Sequence, residues 1–382
     1  MLPALLFSLL FLAPAWLLWW RDQRGWAIVP LATTLILLGF TIALAADAGN
    51  YRQARADTLT LLREVEQPDL LAGGNLVDVD EQLFFAATAS TALRRARRLF
   101  PEYSSAIDSA LYRLAYWATE EADLPAWRRN ADWDRQVYFL AQAGALLVNF
   151  EMATGRPDFQ ESTRAIGNHL GRRLHRSRYK HLGSHPGEDF YRPADNAAAL
   201  YTLKLYDRLY ATDYSAENYR DWARYLSEEL FYAESRLPCA AFSEDNRCYL
   251  EPSATATGAY VAYRAAAGPT DDIPWREWLH YFGETSLSPF SLTIRPNMRE
   301  NRQARFCDQG ARPLRCERYE QAIGLWAAAE NDGEYAFFRL YTALALQRWF
   351  FDPVDYAAYS PASRLQLLTE VAVRTMGTTV SR

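Results

Sequence analysis

Hydrophobic positions fall along the chain in two regimes. Residues 1–20 carry no charge, and after the polar patch Arg21-Asp22-Gln23-Arg24 a second uncharged run covers residues 25–46. Each run is about long enough to cross the ~30 Å hydrocarbon layer of a bilayer, and neither shows the polar face of a surface helix. The pattern predicts a two-helix transmembrane hairpin over residues 1–50. Trp16, Trp19 and Trp20 close the first run and Trp26 opens the second, where amphipathic rings favour the headgroup zone. Arg21 and Arg24 bias the connecting loop to the cytoplasmic side, which sends the rest of the chain across the membrane. A cleaved signal sequence is the alternative, because Ala43-Leu44-Ala45 has the small-x-small form of a processing site.

Residues 51–80 are charged and amphipathic, broken at Gly73-Gly74-Asn75, and read as a stalk or first helix. From residue 81 onward, long apolar-periodic segments rich in Leu, Ala, Tyr and Arg alternate with short turns, which is the helical period. The turns Phe100-Pro101-Glu102, Thr154-Gly155-Arg156-Pro157, Ala211-Thr212-Asp213-Tyr214, Gly268-Pro269-Thr270-Asp271 and Asn331-Asp332-Gly333 recur at roughly 55 to 62 residues. A helix pair repeated at that period predicts an all-α domain over residues 81–382. The expected architecture is an (α/α) toroid of about five to six helix hairpins around a central cavity, with an open solenoid as the alternative. Three longer links, residues 176–191, 237–253 and 293–316, are expected to gather over one mouth of that cavity.

The cysteines sharpen the compartment. Cys239 and Cys248 are nine apart, as are Cys307 and Cys316, and both intervals are polar and turn-like. Two local disulfides are expected, and these persist in an oxidising space. A four-thiolate zinc site is the competing reading, but it lacks the short C-x₂₋₄-C knuckle. The formal net charge of −5 argues against nucleic acid as a partner. No P-loop, Rossmann fingerprint, serine elbow or H-E-x-x-H is present, so nucleotide, nicotinamide and zinc-protease chemistry are not expected.

The block Asp189-Phe190-Tyr191-Arg192-Pro193-Ala194-Asp195-Asn196 runs into Leu203-Lys204-Leu205-Tyr206-Asp207-Arg208-Leu209-Tyr210-Ala211-Thr212-Asp213-Tyr214. It resembles the corresponding stretch of the bacterial linalool dehydratase/isomerase family, as does the preceding helix pair from Tyr138 through Gly155 to His169; the resemblance spans about residues 130–265. It implies an exported (α/α)₆ barrel, akin to six-hairpin glycosidases, that interconverts small terpene alcohols and alkenes without metal or organic cofactor. Two departures bear on function. The family's catalytic cysteine precedes the asparagine matching Asn196, where this chain has Asp195, and the family's catalytic histidine matches Gln142.

Asp195 is therefore the first candidate for catalysis, expected at the first turn of an inner helix where the helix N-terminus favours its ionised form. That form suits a base, a nucleophile or a cation stabiliser, and an ordinary N-cap is the structural alternative. Glu188, Asp189 and Glu251 are candidate partner acids, since paired carboxylates permit glycoside hydrolysis. Asp132 and Asp134 are further acids, equally explained by helix-start stability. Tyr191, Asn196, Tyr138, Gln142 and Arg295 are candidate substrate-binding residues. Tyr201, Tyr249, Tyr260 and Trp326 either line a cavity, where rings stack on sugars or stabilise a cation, or pack as core. His169, His175, His181 and His185 share a basic stretch read as a solvated patch facing anionic lipid or polysaccharide rather than a metal site. No metal or cofactor is expected.

The expected function is acid–base hydrolysis or elimination on an envelope glycan or isoprenoid-like alcohol, by an enzyme anchored in a bacterial inner membrane with its domain in the periplasm or other extracytoplasmic space. The alternative is a non-catalytic toroid that binds a partner protein or glycan at the membrane. Expected partners are the lipid bilayer through residues 1–46, the substrate and a membrane protein.

Overall fold

The uncharged N-terminal runs are helical in the computed structural model of the protein, which describes residues 2–67, 70–71, 78–177, 181–269, 273–287, 290–296, 298, 318–351 and 359–380. The first run is two helices, α1 (Leu2–Leu10) and α2 (Leu12–Trp20), interrupted at Phe11. The second is one helix, α3 (Arg24–Gly49), which carries Pro30. Two described helices are long and apolar enough to cross a membrane, α3 and α7 (Val137–Thr154). They differ in what covers them. The apolar window of α7 is 78% buried and belongs to the core, whereas that of α3 is 22% buried and leaves Trp26, Ile28, Val29, Leu35 and Ile36 exposed. Within α3 the Thr34 and Thr41 hydroxyls donate to the carbonyls of Pro30 and Leu37, so these polar groups are satisfied inside the helix.

The described residues are mostly helical, and the short turns fall where the sequence puts them. They separate α5 (Val79–Leu99) from α6 (Ser104–Tyr116), α7 from α8 (Gln160–Arg176), α9 (Pro193–Tyr210) from α10 (Tyr214–Glu229), α11 (Ala254–Ala267) from α12 (Ile273–Phe282), and α13 (Arg318–Glu330) from α14 (Glu334–Phe351). Gly155 closes α7 at φ 70°, a left-handed position where glycine costs least. In the α9–α10 turn the carboxylate of Asp207 accepts from the Thr212 hydroxyl and from the backbone N–H groups of Tyr214 (3.0 Å) and Ser215 (2.7 Å). The aspartate of the Y-D-R-L block thus supplies acceptors that the first turn of α10 would otherwise lack.

Within each pair the second helix packs on the first, and the first helices also touch one another in sequence. α5 meets α7, α7 meets α9, α9 meets α11, α11 meets α13, α13 meets α15 (Pro361–Thr378), and α15 returns to α5. The residues predicted as a stalk or first helix include α4 (Arg52–Val65), which packs against α15, α5 and α6. Ion pairs hold this seam: Arg374 contacts Asp57 and Glu370 at 2.8 Å, and Arg364 contacts Glu64 at 2.7 Å. Burial follows the division within pairs. α7 buries most of its length, while α8 buries one stripe that includes Ile166, Gly167, Leu170 and Leu174.

The links that follow the second helices come together. β1 (Phe190–Tyr191) pairs antiparallel with β2 (Ala241–Ser243), and β2 with β3 (Cys248–Leu250), so the links before α9 and α11 share a small sheet. The third link joins them where Ala254 N–H donates to the Pro296 carbonyl at 3.0 Å. Ahead of that link, β4 (Gly283–Leu287) follows α12 and pairs antiparallel with β5 (Ser291–Ile294), which leads into it.

Candidate functional site

The small sheet fixes how the chain enters α9. Phe190 and Tyr191 pair with Ser243 and Phe242, and a disulfide between Cys239 and Cys248, Cα atoms 5.7 Å apart, ties together the β2–β3 hairpin. The other predicted pair, Cys307 and Cys316, lies outside the described residues. Pro193 occupies the first helical position of α9 after Arg192, where its missing N–H costs nothing. Asp195 follows two residues on and is not the N-cap.

A second strip, residues 181–184, lies across the N-termini of α7 and α9. The carbonyls of Gly183 and Ser184 accept from Val137 N–H (2.9 Å) and Tyr138 N–H (3.2 Å), two amides with no partner inside their own helix. Gly183 lets the strip approach closely, since a Cβ would sit 3.1 Å from the Arg135 Cα and push the two backbones apart by a few tenths of an ångström. On the other side Asn196, fully buried, accepts from Leu182 N–H at 3.0 Å and donates to the Leu182 and Arg192 carbonyls at 3.2 Å. The predicted substrate-binding role of Asn196 meets this geometry: its amide is spent on holding the strip.

Asp195 is 8% exposed, and its Oδ2 has no hydrogen-bond partner among the described residues. Burial pushes its carboxyl above the ordinary range, against the charges of His185 and Arg192 and a hydrogen bond from Ser184. This corrects the expectation that the helix N-terminus would favour the ionised form. Loss of water outweighs half a charge of helix dipole, and the carboxyl holds its proton more tightly than a free aspartate.

Around it a chain of polar groups runs through residues that the sequence reading left in a solvated patch. His185 Nε2 lies 3.0 Å from Asp80 Oδ2, its Nδ1 accepts from Arg192, and Arg192 grips Glu188 through two contacts of 2.8 and 3.0 Å. Tyr138 stacks on the His185 ring at 4.7 Å and donates to the Asp80 carbonyl at 2.6 Å. His181 is 5% exposed, stacked on Tyr191 at 5.2 Å, and burial holds it neutral by lowering its pKa to about 3. The basic-patch expectation is therefore corrected for His181 and His185, which are packed between aromatic rings. The Gly and Pro residues around them signalled a loop, and only the fold shows that this loop is pressed against helix N-termini.

On the interior side, phenols from three helices gather within electrostatic reach of Asp195 or of one another: Tyr138 from α7, Tyr263 from α11 and Tyr319 from α13. Burial raises all three above the ordinary tyrosine range, so each is a neutral O–H. Gln142 is buried, and its Oε1 lies 3.4 Å from the Tyr263 hydroxyl. Tyr319 also lines a cleft of about 370 Å³ with Glu81, Phe84, Leu365, Gln366 and Thr369.

The other predicted residues are placed elsewhere. Asp189 is exposed and 3.5 Å from Arg135. Glu251 is exposed between β3 and α11. Tyr191 and Glu188 border a separate groove of about 320 Å³ with Asp189 and His181. Arg295 donates to the Tyr281 carbonyl at 3.0 Å and so braces β5 on the end of α12. Asp132 accepts from Asp134 N–H at 3.1 Å, and Asp134 is paired with Arg173. Tyr249 is exposed and stacked on Phe190, Tyr260 packs on Trp222, and Trp326 donates to Glu330. Among the described residues no group of three His, Cys, Asp or Glu side chains is arranged to hold a metal ion.

The residues that sequence reading missed are Asp80, Ser184, Tyr263 and Tyr319, while His185 was read as part of a solvated patch and Arg192 stood in the Asp189–Asn196 block without a role. They come from four separate parts of the chain, which no single local motif spans. No family model matches the chain, and no curated protein sequence matches it.

Proposed function

We propose that the cycle of helix contacts is an (α/α)₆ toroid, that it is anchored in a bilayer through residues 1–46 with its domain outside the cytoplasm, and that it is an acid–base enzyme acting on a small isoprenoid-like alcohol. The observation that carries the chemistry is Asp195: a buried carboxyl with one oxygen unbonded among the described residues and its pKa raised, within electrostatic reach of the neutral phenols of Tyr138 and Tyr263. A carboxyl of this kind donates a proton to a leaving hydroxyl. The C–O bond breaks, water departs, the same carboxylate takes a proton from the adjacent carbon, and an alkene forms with Asp195 restored. Tyrosine rings beside the reacting carbon favour the intermediate cation. The cleft bordered by Phe84, Leu365 and Tyr319 suits an apolar ligand.

Glycoside hydrolysis has less support, because Glu188 is ion-paired with Arg192, with Oε1 hydrogen-bonded and Oε2 2.8 Å from the guanidinium, and Asp189 and Glu251 are exposed. The non-catalytic reading is favoured by one observation: Gln142, at the family's histidine position, pairs with Tyr263. Anchoring is supported by the exposed apolar surface of α1–α3 and by the Arg21–Arg24 loop, and an oxidising compartment by the Cys239–Cys248 bond.

The test incubates the full chain, in detergent micelles, with a tertiary allylic terpene alcohol and follows alkene by headspace gas chromatography. Wild type is expected to form alkene, and Asp195→Asn to lose that activity while melting as a folded protein. Equal turnover by the variant removes Asp195 from the chemistry, and no turnover by wild type removes this substrate class.

A further inference from the structure

A second cavity, of about 260 Å³, lies among the C-terminal turns of α5, α9, α11 and α13 and the residues that follow α15. Arg208, on its rim, is about 20 Å along α9 from Asp195 at 1.5 Å per residue, so the cavity opens at the other end of α9, and only its inner wall, where Tyr201 packs on Tyr263 with ring centroids 5.7 Å apart, adjoins the candidate active site. Its lining is one-sided in charge. Arg94, Arg95, Arg98, Lys204 and Arg208 face a single carboxylate, Glu330, in a chain whose formal net charge is −5.

Cations near helix C-termini are favoured by the helix dipole, but the hydrogen bonds show a further imbalance. Glu330 Oε1 already accepts from Arg95 (2.6 Å) and from the Trp326 indole (3.0 Å). Arg94 uses its Nε on Asn149, and Lys204 donates to the Ala266 carbonyl at 2.8 Å. Arg98 and Arg208, both exposed, have no ion-pair partner among the described residues. Tyr201 is 3% exposed and lines the cavity; its hydroxyl lies against Arg94 and Arg95, which it helps to hold charged, and its own O–H is given to no acceptor among the described residues. The cavity therefore offers many donors and almost no free acceptor. Burial, and after it the like charges of Arg95 and Arg98, lowers the Arg94 pKa, which is the strain that an anion would relieve.

We propose that this cavity is a binding site for a phosphate-type oxyanion, with Arg94, Arg95, Lys204 and the Tyr201 hydroxyl as inner donors and Arg98 and Arg208 as outer ones. Guanidinium forks suit the several oxygens of such a group. The site does not depend on the reading of Asp195.

Isothermal titration calorimetry on the full chain in detergent micelles tests it with two probes, inorganic pyrophosphate and phosphatidylglycerol doped into the micelles, with phosphatidylcholine as the uncharged reference. Saturable binding of either probe is expected, and which probe binds tells a free phosphate from a lipid headgroup. Arg98→Ala and Arg208→Ala lie on the exposed rim and leave the core intact, as melting will verify. Each is expected to weaken binding about tenfold, the loss of one charge-assisted hydrogen bond, and Asp195→Asn is expected to bind as wild type does. Failure of both probes to bind, or equal binding by the Arg98→Ala/Arg208→Ala double variant, overturns the proposal.

Discussion

Replacing Asn196 by Ala tests whether the strip of residues 181–184 is what organises the site. The amide of Asn196 is fully buried and makes three hydrogen bonds: one from Leu182 N–H and one each to the Leu182 and Arg192 carbonyls. The Arg192 carbonyl also accepts from the Asn196 backbone N–H at 3.3 Å, so it keeps a partner in the variant. The Leu182 N–H and carbonyl lose theirs. An orphaned buried polar group costs about 1–3 kcal/mol, which gives a loss of about 2–6 kcal/mol for the pair. Unfolding entropy of about 2.1 cal/mol/K per residue, or roughly 0.7 kcal/mol/K for a domain of this size, converts this to a fall in melting temperature of about 3–9 °C. Differential scanning calorimetry in detergent measures it. The consequence reaches the site, because the freed strip also holds the N-termini of α7 through Gly183 and Ser184 and the Arg192 backbone through the Ser184 hydroxyl at 3.0 Å. Limited proteolysis should therefore cut first in this strip. A variant that melts with wild type and resists protease equally would refute the clamp and leave Asn196 free for the substrate-binding role its position suggested.

Three further outcomes follow from the same geometry. The folded pKa of Asp195 lies above its unfolded value, so the folded state gains nothing from it in acid, where both states are protonated, and bears a growing cost as pH rises past the ordinary carboxylate range. Asp195→Asn should thus stabilise the protein at neutral pH relative to wild type, with the gain vanishing in acid, as denaturant midpoints at the two pH values would show. Removing the bond between Cys239 and Cys248 by double alanine substitution opens a loop with a sequence separation of 9 and should cost about 2–3 kcal/mol, read from chemical denaturation; a cost near zero would mean the β2–β3 hairpin is held by other contacts. Arg374→Met leaves Asp57 and Glu370 buried without their guanidinium, and a loss of about 3–5 kcal/mol is expected; a loss under 1 kcal/mol would show that α4 and α15 are joined by packing alone.

Much of the helical frame is legible in the residues. The turns at Pro101, Gly155, Thr212, Gly268 and Gly333 mark the helix pairs because proline, glycine and short polar side chains act on the backbone locally. The Cys239–Cys248 bond is equally local, since nine residues of polar chain bring the thiols together without help from the rest of the fold. Other readings depended on surroundings that a sequence does not contain. The first apolar run reads as one continuous helix, yet it is interrupted at Phe11. His181 and His185 lie among arginines and read as solvated, yet Tyr191, Tyr138 and Phe139 close around their rings.

The sequence by itself determined the local features: the turns that separate helix pairs, the second apolar run long enough for a membrane, and the Cys239–Cys248 bond. These follow from interactions within a few residues, whose energies any local stretch carries with it. Tertiary structure alone decided the surroundings of the candidate residues. Whether Asp195 is a solvated N-terminal carboxylate or a buried acid depends on Ser184, His185 and Arg192 folding back over it and on phenols arriving from α7, α11 and α13. Charge and water exclusion act through space, and the residues that supply them stand far apart along the chain.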